Sequence, residues 1–252
     1  MPFAARQAAQ RGFPAVLRRE ETFGREEPAL AVVIVRSAMV PAARTAVAER
    51  VAVLLLGIAH VEQLHHAVVL VRELGLFRAL AVGLEVGARM AAGEPFSRLG
   101  PPATPKERAA RAQIAPAIVL FAVLRRVRGR DALRITREVV LAAGAAFMGR
   151  VVGPLAQATS LDEVSLARTT SRFPNAKFSG FEVSADRVAF TARDCLFPSL
   201  TREAGAPELA PFFCEVDAKA FQDLNVRLDR PRTIATGASD CHFQLIRIRP
   251  RG

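Results

Sequence analysis

Three cysteines and one aspartate are the residues whose types and order could carry chemistry. Cys195, Cys214 and Cys241 are all the cysteines of the chain, and they fall within its last 58 residues. Cys214 and Asp217 are three residues apart, a spacing that brings two side chains to the same face of a helix. A thiolate is a strong nucleophile, and a nearby carboxylate can accept and return protons. The pattern therefore favours nucleophilic chemistry at sulfur.

The predicted helix around Cys214 constrains the role of Asp217. Asp217 falls at the edge of the apolar face, and Cys214 lies a little beyond it. A carboxylate at the edge of a buried face is energetically costly unless it has a partner. An anionic Asp217 would oppose ionisation of a neighbouring thiol, so we predict that it moves protons instead. Cys214 is the first candidate for the nucleophile. Cys241 and Cys195 are candidates for resolving, orienting or metal-binding groups. The apolar face consists of Leu209, Phe213, Val216, Ala220 and Leu224.

A metal site and an inert core are the alternatives for these thiols. Zinc sites of the Cys3His or Cys3Asp type exist, but structural ones normally include two cysteines separated by two to four residues. The three cysteines are 19 and 27 residues apart. We therefore predict neither a metal nor a cofactor. A buried cysteine often acts as a small hydrophobe, so a non-catalytic thiol protein that binds a small molecule or a metal stays open.

Helical spacing of apolar residues predicts that helices make up the first half of the chain. A segment rich in proline and glycine, residues 93–105, predicts a loop between the second and third helices. The predicted helices are two within residues 43–97, then Lys106–Val127 and Asp131–Val152.

The last third of the chain has the pattern of an α+β unit. Short runs rich in Phe and Val predict strands, and Pro207 predicts the first turn of a helix, which Pro211 would shift by one turn. The order β-β-α-α-β-β predicts an α+β fold, a helical N-terminal half packed with a C-terminal antiparallel sheet. The predicted elements are strands Lys177–Val183 and Arg187–Arg193, helices 198–204 and 207–223, and strands Val226–Thr236 and Cys241–Ile248.

These patterns divide the chain into three parts. Residues 1–38 have weak periodicity and are expected to be a poorly ordered extension. Residues 39–160 form the helical layer, and residues 161–252 form the α+β unit that carries the cysteines. The alternative is a single compact domain over residues 39–252, which is within the size range of ordinary domains.

The composition argues against two classes of partner. The formal net charge is +11, but 32 of the 35 basic residues are arginine, and Trp and Tyr are absent. GC-rich codons produce such an arginine excess, so we expect no specific nucleic-acid partner. The longest stretch without a charged residue, Ala112–Leu124, has 13 residues, fewer than the roughly 18 to 20 of a membrane span. An odd number of cysteines without a Cys-x-x-Cys pair predicts a reduced, cytoplasmic protein.

Four stretches of the C-terminal part together resemble the L-2-amino-thiazoline-4-carboxylic acid hydrolase family. They are Asp194–Phe197, Gly205–Leu209, Phe213–Asp217 and Arg232–Phe243. The shared order is a cysteine after a strand, a Cys-x-x-Asp helix and a Gly-x-x-x-Cys-x-Phe stretch, and it covers residues 175–248.

The resemblance implies a small cytoplasmic hydrolase that acts on a carbon–nitrogen bond of a cyclic amidine. It would open a thiazoline ring toward a carbamoylated cysteine. The positions carried over are Cys195, Cys214, Asp217, Gly237 and Cys241. An arginine near these positions, Arg232, is the candidate for binding a substrate carboxylate through a bidentate contact.

Overall fold

Long helices make up the first described part of the chain. The computed structural model describes residues 61–158 and 161–248. The predicted extension 1–38 and the start of the predicted helical layer lie outside these residues. The helices are α1 Val61–Leu74, α2 Leu76–Ala91, α3 Pro105–Arg128 and α4 Ala132–Gln157. The predicted order of helix, helix, loop, helix and helix is confirmed over the described range.

Local signals in the sequence set the start and the end of α3. Thr104 caps it, because its side chain accepts a hydrogen bond from the Glu107 amide at 3.1 Å, and Pro105 occupies the first turn. The Glu107 carboxylate in turn accepts a hydrogen bond from the Ala103 amide at 2.9 Å. Gly129, which has a φ of 54°, follows the last helical residue. A short 3-10 turn, Gly129–Asp131, then leads into α4.

The segment from α3 to α4 is strongly apolar. Within Pro105–Gln157, an 18-residue window has a mean hydropathy of 1.7, which by length and composition is sufficient to cross a membrane. About a fifth of that window, 22%, is buried. A single helix of this kind is weak evidence for a membrane span, since core helices of globular proteins have the same composition.

The last third of the chain forms a four-stranded antiparallel sheet with helices. Its spatial strand order is β1-β2-β4-β3. In the register of the central pair, Ala192 lies opposite Cys241 and Phe190 lies opposite Phe243. The predicted α+β class is confirmed. The strands are β1 Lys177–Val183, β2 Arg187–Arg193, β3 Val226–Asp229 and β4 Cys241–Arg247, and the helices are α5 Glu163–Thr170, α6 Phe197–Glu203 and α7 Ala210–Asp223.

Two predictions for this region were wrong. The predicted strand Val226–Thr236 ends at Asp229, because Pro231 has no amide hydrogen to donate and Thr233 caps a 3-10 turn, Ile234–Thr236. Helix α5 was not predicted. Its start is capped by Asp162, whose carboxylate accepts a hydrogen bond from the Ser165 amide at 2.8 Å. The helix has only eight residues and a weak apolar periodicity, which is why the sequence did not predict it.

Helix α7 is held against α4 by a close approach at one glycine. A Cβ atom added to Gly144 of α4 would lie 2.5 Å from a methyl carbon of Val216 on α7. Ordinary carbon contacts are much longer, so the missing side chain of Gly144 lets the two helices approach. Val216 lies between Cys214 and Asp217 in sequence, and this contact therefore fixes the helix that carries both.

Two clusters of buried residues meet near the cysteines. The larger one joins the long helices to α6 and α7, and the smaller one covers one face of the sheet. Cys195 packs against both clusters, and Cys241 belongs to the smaller one. Cys195 therefore lies at the boundary between the helical core and the sheet core.

Candidate active site

Helix α7 carries Cys214 and Asp217 on one face, one turn apart. The Asp217 carboxylate pairs with Arg230, which follows strand β3. One terminal nitrogen of Arg230, Nη1, donates to Asp217 Oδ2 at 2.5 Å. The other, Nη2, donates to the main-chain carbonyl of Cys214 at 2.6 Å. A single guanidinium therefore binds both residues of the Cys-x-x-Asp pair.

The Arg230 side chain is enclosed by aromatic and polar groups. It is 8% exposed, and the Asp217 side chain is 23% exposed. The guanidinium carbon lies 5.0 Å from the ring centre of Phe243, which stacks on Phe190 with a centroid distance of 4.8 Å. Cation–π contacts of this length favour a positive charge. The charge of Arg230 is therefore stabilised from both the sheet and α7.

Burial decides the protonation of Asp217 and Cys214. Removal from water raises the pKa of Asp217, while the charge and hydrogen bond of Arg230 oppose that change. Removal from water also raises the pKa of the Cys214 thiol, to about 12. Arg230 again opposes the change, and Asp217, Cys195 and Cys241 add to it. At neutral pH Cys214 is therefore a thiol and needs a proton acceptor before it can attack.

Cys195 lies between the end of β2 and the start of α6, with its side chain half-buried. Its Sγ accepts a hydrogen bond from the Asn175 side chain at 3.6 Å. Burial raises the pKa of Cys195, and hydrogen bonds from the Phe197 amide and from Asn175 oppose that change. Cys241 and Asp217 contribute smaller electrostatic effects to the same thiol. The structure thus brings all three thiols and Asp217 within electrostatic range of one another.

Cys241 is buried at the first position of β4. Its Sγ accepts a hydrogen bond from the Ile234 amide at 3.2 Å, in the 3-10 turn that contacts α7. All three cysteines are free thiols. Over residues 61–158 and 161–248, no three His, Cys, Asp or Glu side chains are grouped so that they could hold a metal ion.

The two predicted binding residues lie in the loop between β3 and β4. Arg232 lies on the surface, and its Nε donates to Asp240 at 3.0 Å. This contact does not use the two terminal nitrogens of Arg232. Gly237 ends the 3-10 turn with a φ of 97°, a left-handed conformation that favours glycine. The position of Gly237 therefore shapes the loop that carries Arg232.

The sequence did not identify Arg230 or Asn175, and it gave Phe243 only as part of the Gly-x-x-x-Cys-x-Phe stretch, without a role. A carboxylate on the shoulder of an apolar face requires a partner, so an arginine beside Asp217 could have been expected. Several arginines follow the helix, however, and periodicity does not distinguish them. Which arginine pairs with Asp217 depends on β3 ending at Asp229, whereas the predicted strand continued to Thr236.

The family model of L-2-amino-thiazoline-4-carboxylic acid hydrolase matches residues 107–245 of this chain. This is more than half of the chain, and the matched region contains the three cysteines, Asp217 and both loop arginines. The chain belongs to this family. The match also begins near the start of α3, so the region shared with the L-2-amino-thiazoline-4-carboxylic acid hydrolase family includes α3 and α4 and not just the region from residue 175 onward.

Other comparisons add little to the family assignment. No curated protein sequence is significantly similar to the chain. Among solved structures, an H-NOX protein variant from K. algicida in its Fe(II) unliganded form covers 54% of this chain and 74% of its own. Its sequence identity is 12% and its TM-score is 0.27, too low to support any argument on fold or function.

The L-2-amino-thiazoline-4-carboxylic acid hydrolase family is, by its description, a family of hydrolases. The family description names a small cyclic molecule as the substrate. The predicted family is therefore confirmed. The assignment of catalytic roles to individual residues stays a prediction.

Proposed function

We propose that this protein opens a small cyclic amidine, of the 2-amino-thiazoline-carboxylate type, by hydrolysis of a ring carbon–nitrogen bond. The observation that carries the proposal is the position of Asp217 beside the Cys214 thiol, with Arg230 bound to both residues. A thiol with a pKa of about 12 needs a base, and a carboxylate whose pKa is raised is a better base than an ordinary one. Cys214 and Asp217 therefore form a nucleophile and its proton carrier.

In the first step, Asp217 accepts the Cys214 proton while the sulfur bonds to the carbon of the substrate amidinium. The π electrons of the carbon–nitrogen bond move to nitrogen and give a neutral tetrahedral adduct. Asp217 then protonates the ring nitrogen, the carbon–nitrogen bond breaks, and the nitrogen leaves as an amine. An S-linked imidate cation remains on Cys214. This sequence splits one difficult displacement into two easier steps.

In the second step, water adds to the same carbon and gives a proton to Asp217. The carbonyl forms as the carbon–sulfur bond to the enzyme breaks, and the hydroxyl proton passes to the Cys214 sulfur. Asp217 gives its proton to the product amine. The product is a cysteine carbamoylated on sulfur, and both Cys214 and Asp217 return to their starting states.

The cationic substrate would itself promote ionisation of Cys214. A positive charge next to a thiol lowers the pKa of that thiol, in the same direction as the effect of Arg230. The terminal nitrogens of Arg232 would bind the substrate carboxylate, and Gly237 would shape that loop. Cys241 and Cys195 would orient the adduct. The chemistry needs free thiols, so we also propose a reducing, cytoplasmic location.

The test uses L-2-amino-thiazoline-4-carboxylic acid and follows the product amine by mass spectrometry. We expect Cys214→Ser to lower kcat by about 10³-fold or more, because the nucleophile is lost. Acid quenching of the wild-type reaction should trap an adduct on the peptide that contains Cys214. The matched controls Cys195→Ser and Cys241→Ser should retain more turnover than Cys214→Ser.

Full turnover by Cys214→Ser would show that the nucleophile is assigned wrongly. Tight binding of the substrate without any product from the wild-type protein would contradict hydrolysis. That result would support a non-catalytic thiol-based binding protein instead. Turnover with a trapped adduct on Cys195 would transfer the nucleophilic role to that residue.

A further inference from the structure

We propose that Arg230 is a positioning residue for the Cys214 and Asp217 pair, an inference that rests on the proposed function. Its guanidinium binds the Asp217 side chain and the Cys214 main chain at once. Both contacts belong to one turn of α7, and Arg230 itself follows β3. The arginine therefore connects the sheet to the helix turn that performs the proposed chemistry.

The geometry requires an arginine rather than any cation. The planar guanidinium presents its donors in a fixed fork, and here two of them reach two different acceptors. The same guanidinium lies over the ring of Phe243, which in turn stacks on Phe190. A lysine would keep the charge but would lose the fork and the stacking. We therefore expect the charge and the positioning to be separable by substitution.

Four charged or titratable groups act on the Cys214 thiol, and each comes from a different part of the fold. Asp217 belongs to its own helix, Arg230 follows β3, Cys195 precedes α6 and Cys241 begins β4. Within this set Arg230 is the cation. Removing it should leave the thiol protonated to a higher pH, and removing the Asp217 charge should have the opposite effect.

Alkylation by iodoacetamide, read at each cysteine by peptide mass spectrometry, tests this role without any substrate. Below its pKa, the thiolate fraction of Cys214 changes about tenfold for each pH unit by which that pKa moves. At pH 9 we expect Arg230→Gln to slow alkylation of Cys214 by about fivefold or more. We expect Asp217→Asn to speed it and Arg230→Lys to leave it near the wild-type rate. Cys195 serves as the internal reference for the Arg230 variants. Asp217 acts on both thiols, so the Asp217→Asn rate is compared with wild type alone.

Two controls separate positioning from a folding defect. Arg227→Gln removes an exposed arginine of β3 and should leave the Cys214 rate unchanged. The double variant Arg230→Gln with Asp217→Asn removes both partners of the pair, so it leaves no unpaired charge in the fold. Partial unfolding would speed alkylation of Cys195 and Cys214 together. The proposal predicts slower alkylation of Cys214 with the Cys195 rate unchanged.

The turnover rate then distinguishes the positioning role of Arg230 from the effect of its charge. Arg230→Lys should lower kcat at least tenfold with KM changed less than threefold, although its Cys214 alkylation rate is normal. An Arg230→Gln protein that is folded and alkylates at the wild-type rate or faster would overturn the electrostatic role. An Arg230→Lys protein with wild-type kcat would overturn the positioning role. Because alkylation needs no substrate, it decides the electrostatic role of Arg230 even if the ring-opening reaction fails.

Discussion

Two arginine–carboxylate ion pairs, in two regions of the molecule, leave their carboxyl groups with pKa shifts in opposite directions. In the helical region, Arg134 of α4 donates to the Glu73 carboxylate of α1 at 2.7 Å, and the Arg134 side chain is 50% exposed. The hydrogen bond from Arg134 lowers the pKa of Glu73. At the candidate site, Arg230 binds Asp217, yet the pKa of Asp217 is raised.

The surroundings of the two pairs explain the difference between the two carboxylates. The Glu73 side chain is 17% exposed, but its partner Arg134 is half-exposed, and the hydrogen bond from Arg134 is the largest effect on the pKa of Glu73. Around Asp217 the loss of water is the largest effect, and the arginine offsets part of it. An arginine beside a carboxylate therefore does not by itself identify a strongly ionised group. This difference is consistent with the proposed role of Asp217 in proton transfer, while Glu73 joins α1 to α4.

The largest expected difference between the two pairs is in activity. We expect Asp217→Asn to lower kcat by about 10²- to 10⁴-fold, because a neutral amide cannot accept the Cys214 proton. Glu73→Gln should change kcat by less than about twofold, since Glu73 lies in the helical region away from the thiols. Initial rates of ring opening measure both. Equal effects of the two substitutions would remove the distinction between the regions.

The next difference is in stability. Arg230→Met leaves Asp217 without its partner, and we expect a loss of about 2–4 kcal/mol in the free energy of unfolding. Arg134→Met removes a half-exposed arginine and leaves Glu73 paired with Arg72, so it should cost less than about 1 kcal/mol. Urea denaturation followed by circular dichroism gives both values. If Arg134→Met costs as much as Arg230→Met, exposure does not determine the strength of these pairs.

The sequence was sufficient for elements that depend on local signals. Helix α3 has a Thr104 cap, Pro105 and a following Gly129, and its prediction agrees with the structure to within a residue at each end. The strands Lys177–Val183 and Arg187–Arg193 were predicted with their observed ends. In both cases the residues that define the element are adjacent in sequence.

The residue types of the site were predictable from the sequence, but the contacts among their side chains were not. The Cys-x-x-Asp spacing placed Cys214 and Asp217 on one helix face, as the structure has them. The partner of Asp217 depends on where β3 stops and on the stacking of Phe243 with Arg230, which are tertiary effects. The raised pKa of Cys214 also depends on burial, a property of the whole fold.

The two regions meet where α7 packs on α4, and that contact predicts a smaller effect. Gly144→Ala would place a Cβ 2.5 Å from a methyl carbon of Val216, so either the Val216 side chain or one of the two helices must shift. We expect a loss of about 1–3 kcal/mol in the free energy of unfolding and a lower kcat, since α7 carries Cys214 and Asp217. Gly149→Ala on the same helix is the matched control. Apart from the backbone of its own helix and its chain neighbours, no atom of the described residues lies within 4 Å of a Cβ added at Gly149, and alanine is the better helix former.

The stability and kcat of Gly144→Ala show whether the interface between α4 and α7 can accommodate an extra methyl group. Unchanged stability and kcat in Gly144→Ala would mean that Val216 moves freely and that the helical region does not position the site. Loss of stability with full kcat would mean that α7 shifts as a unit with its partners. Both outcomes are measurable against Gly149→Ala.

The smallest expected effects are in the pH dependence of stability, where the two carboxylates should show opposite signs. The folded pKa of Glu73 is lowered, so its contribution to stability is present at neutral pH and is lost as pH falls through that folded pKa. The folded pKa of Asp217 is raised, so its contribution is present below the unfolded pKa and is lost as pH rises through the folded pKa.

Urea denaturation between pH 3 and pH 8 tests this difference in sign, with each variant compared with wild type at every pH. The stability advantage of wild type over Glu73→Gln should grow as pH rises from 3, and its advantage over Asp217→Asn should shrink. Neither slope can exceed about 1.4 kcal/mol per pH unit, the limit for one titrating group. Slopes of the same sign would mean that Arg230 dominates burial at Asp217. The carboxylate would then be a weaker proton acceptor for Cys214 than the mechanism requires.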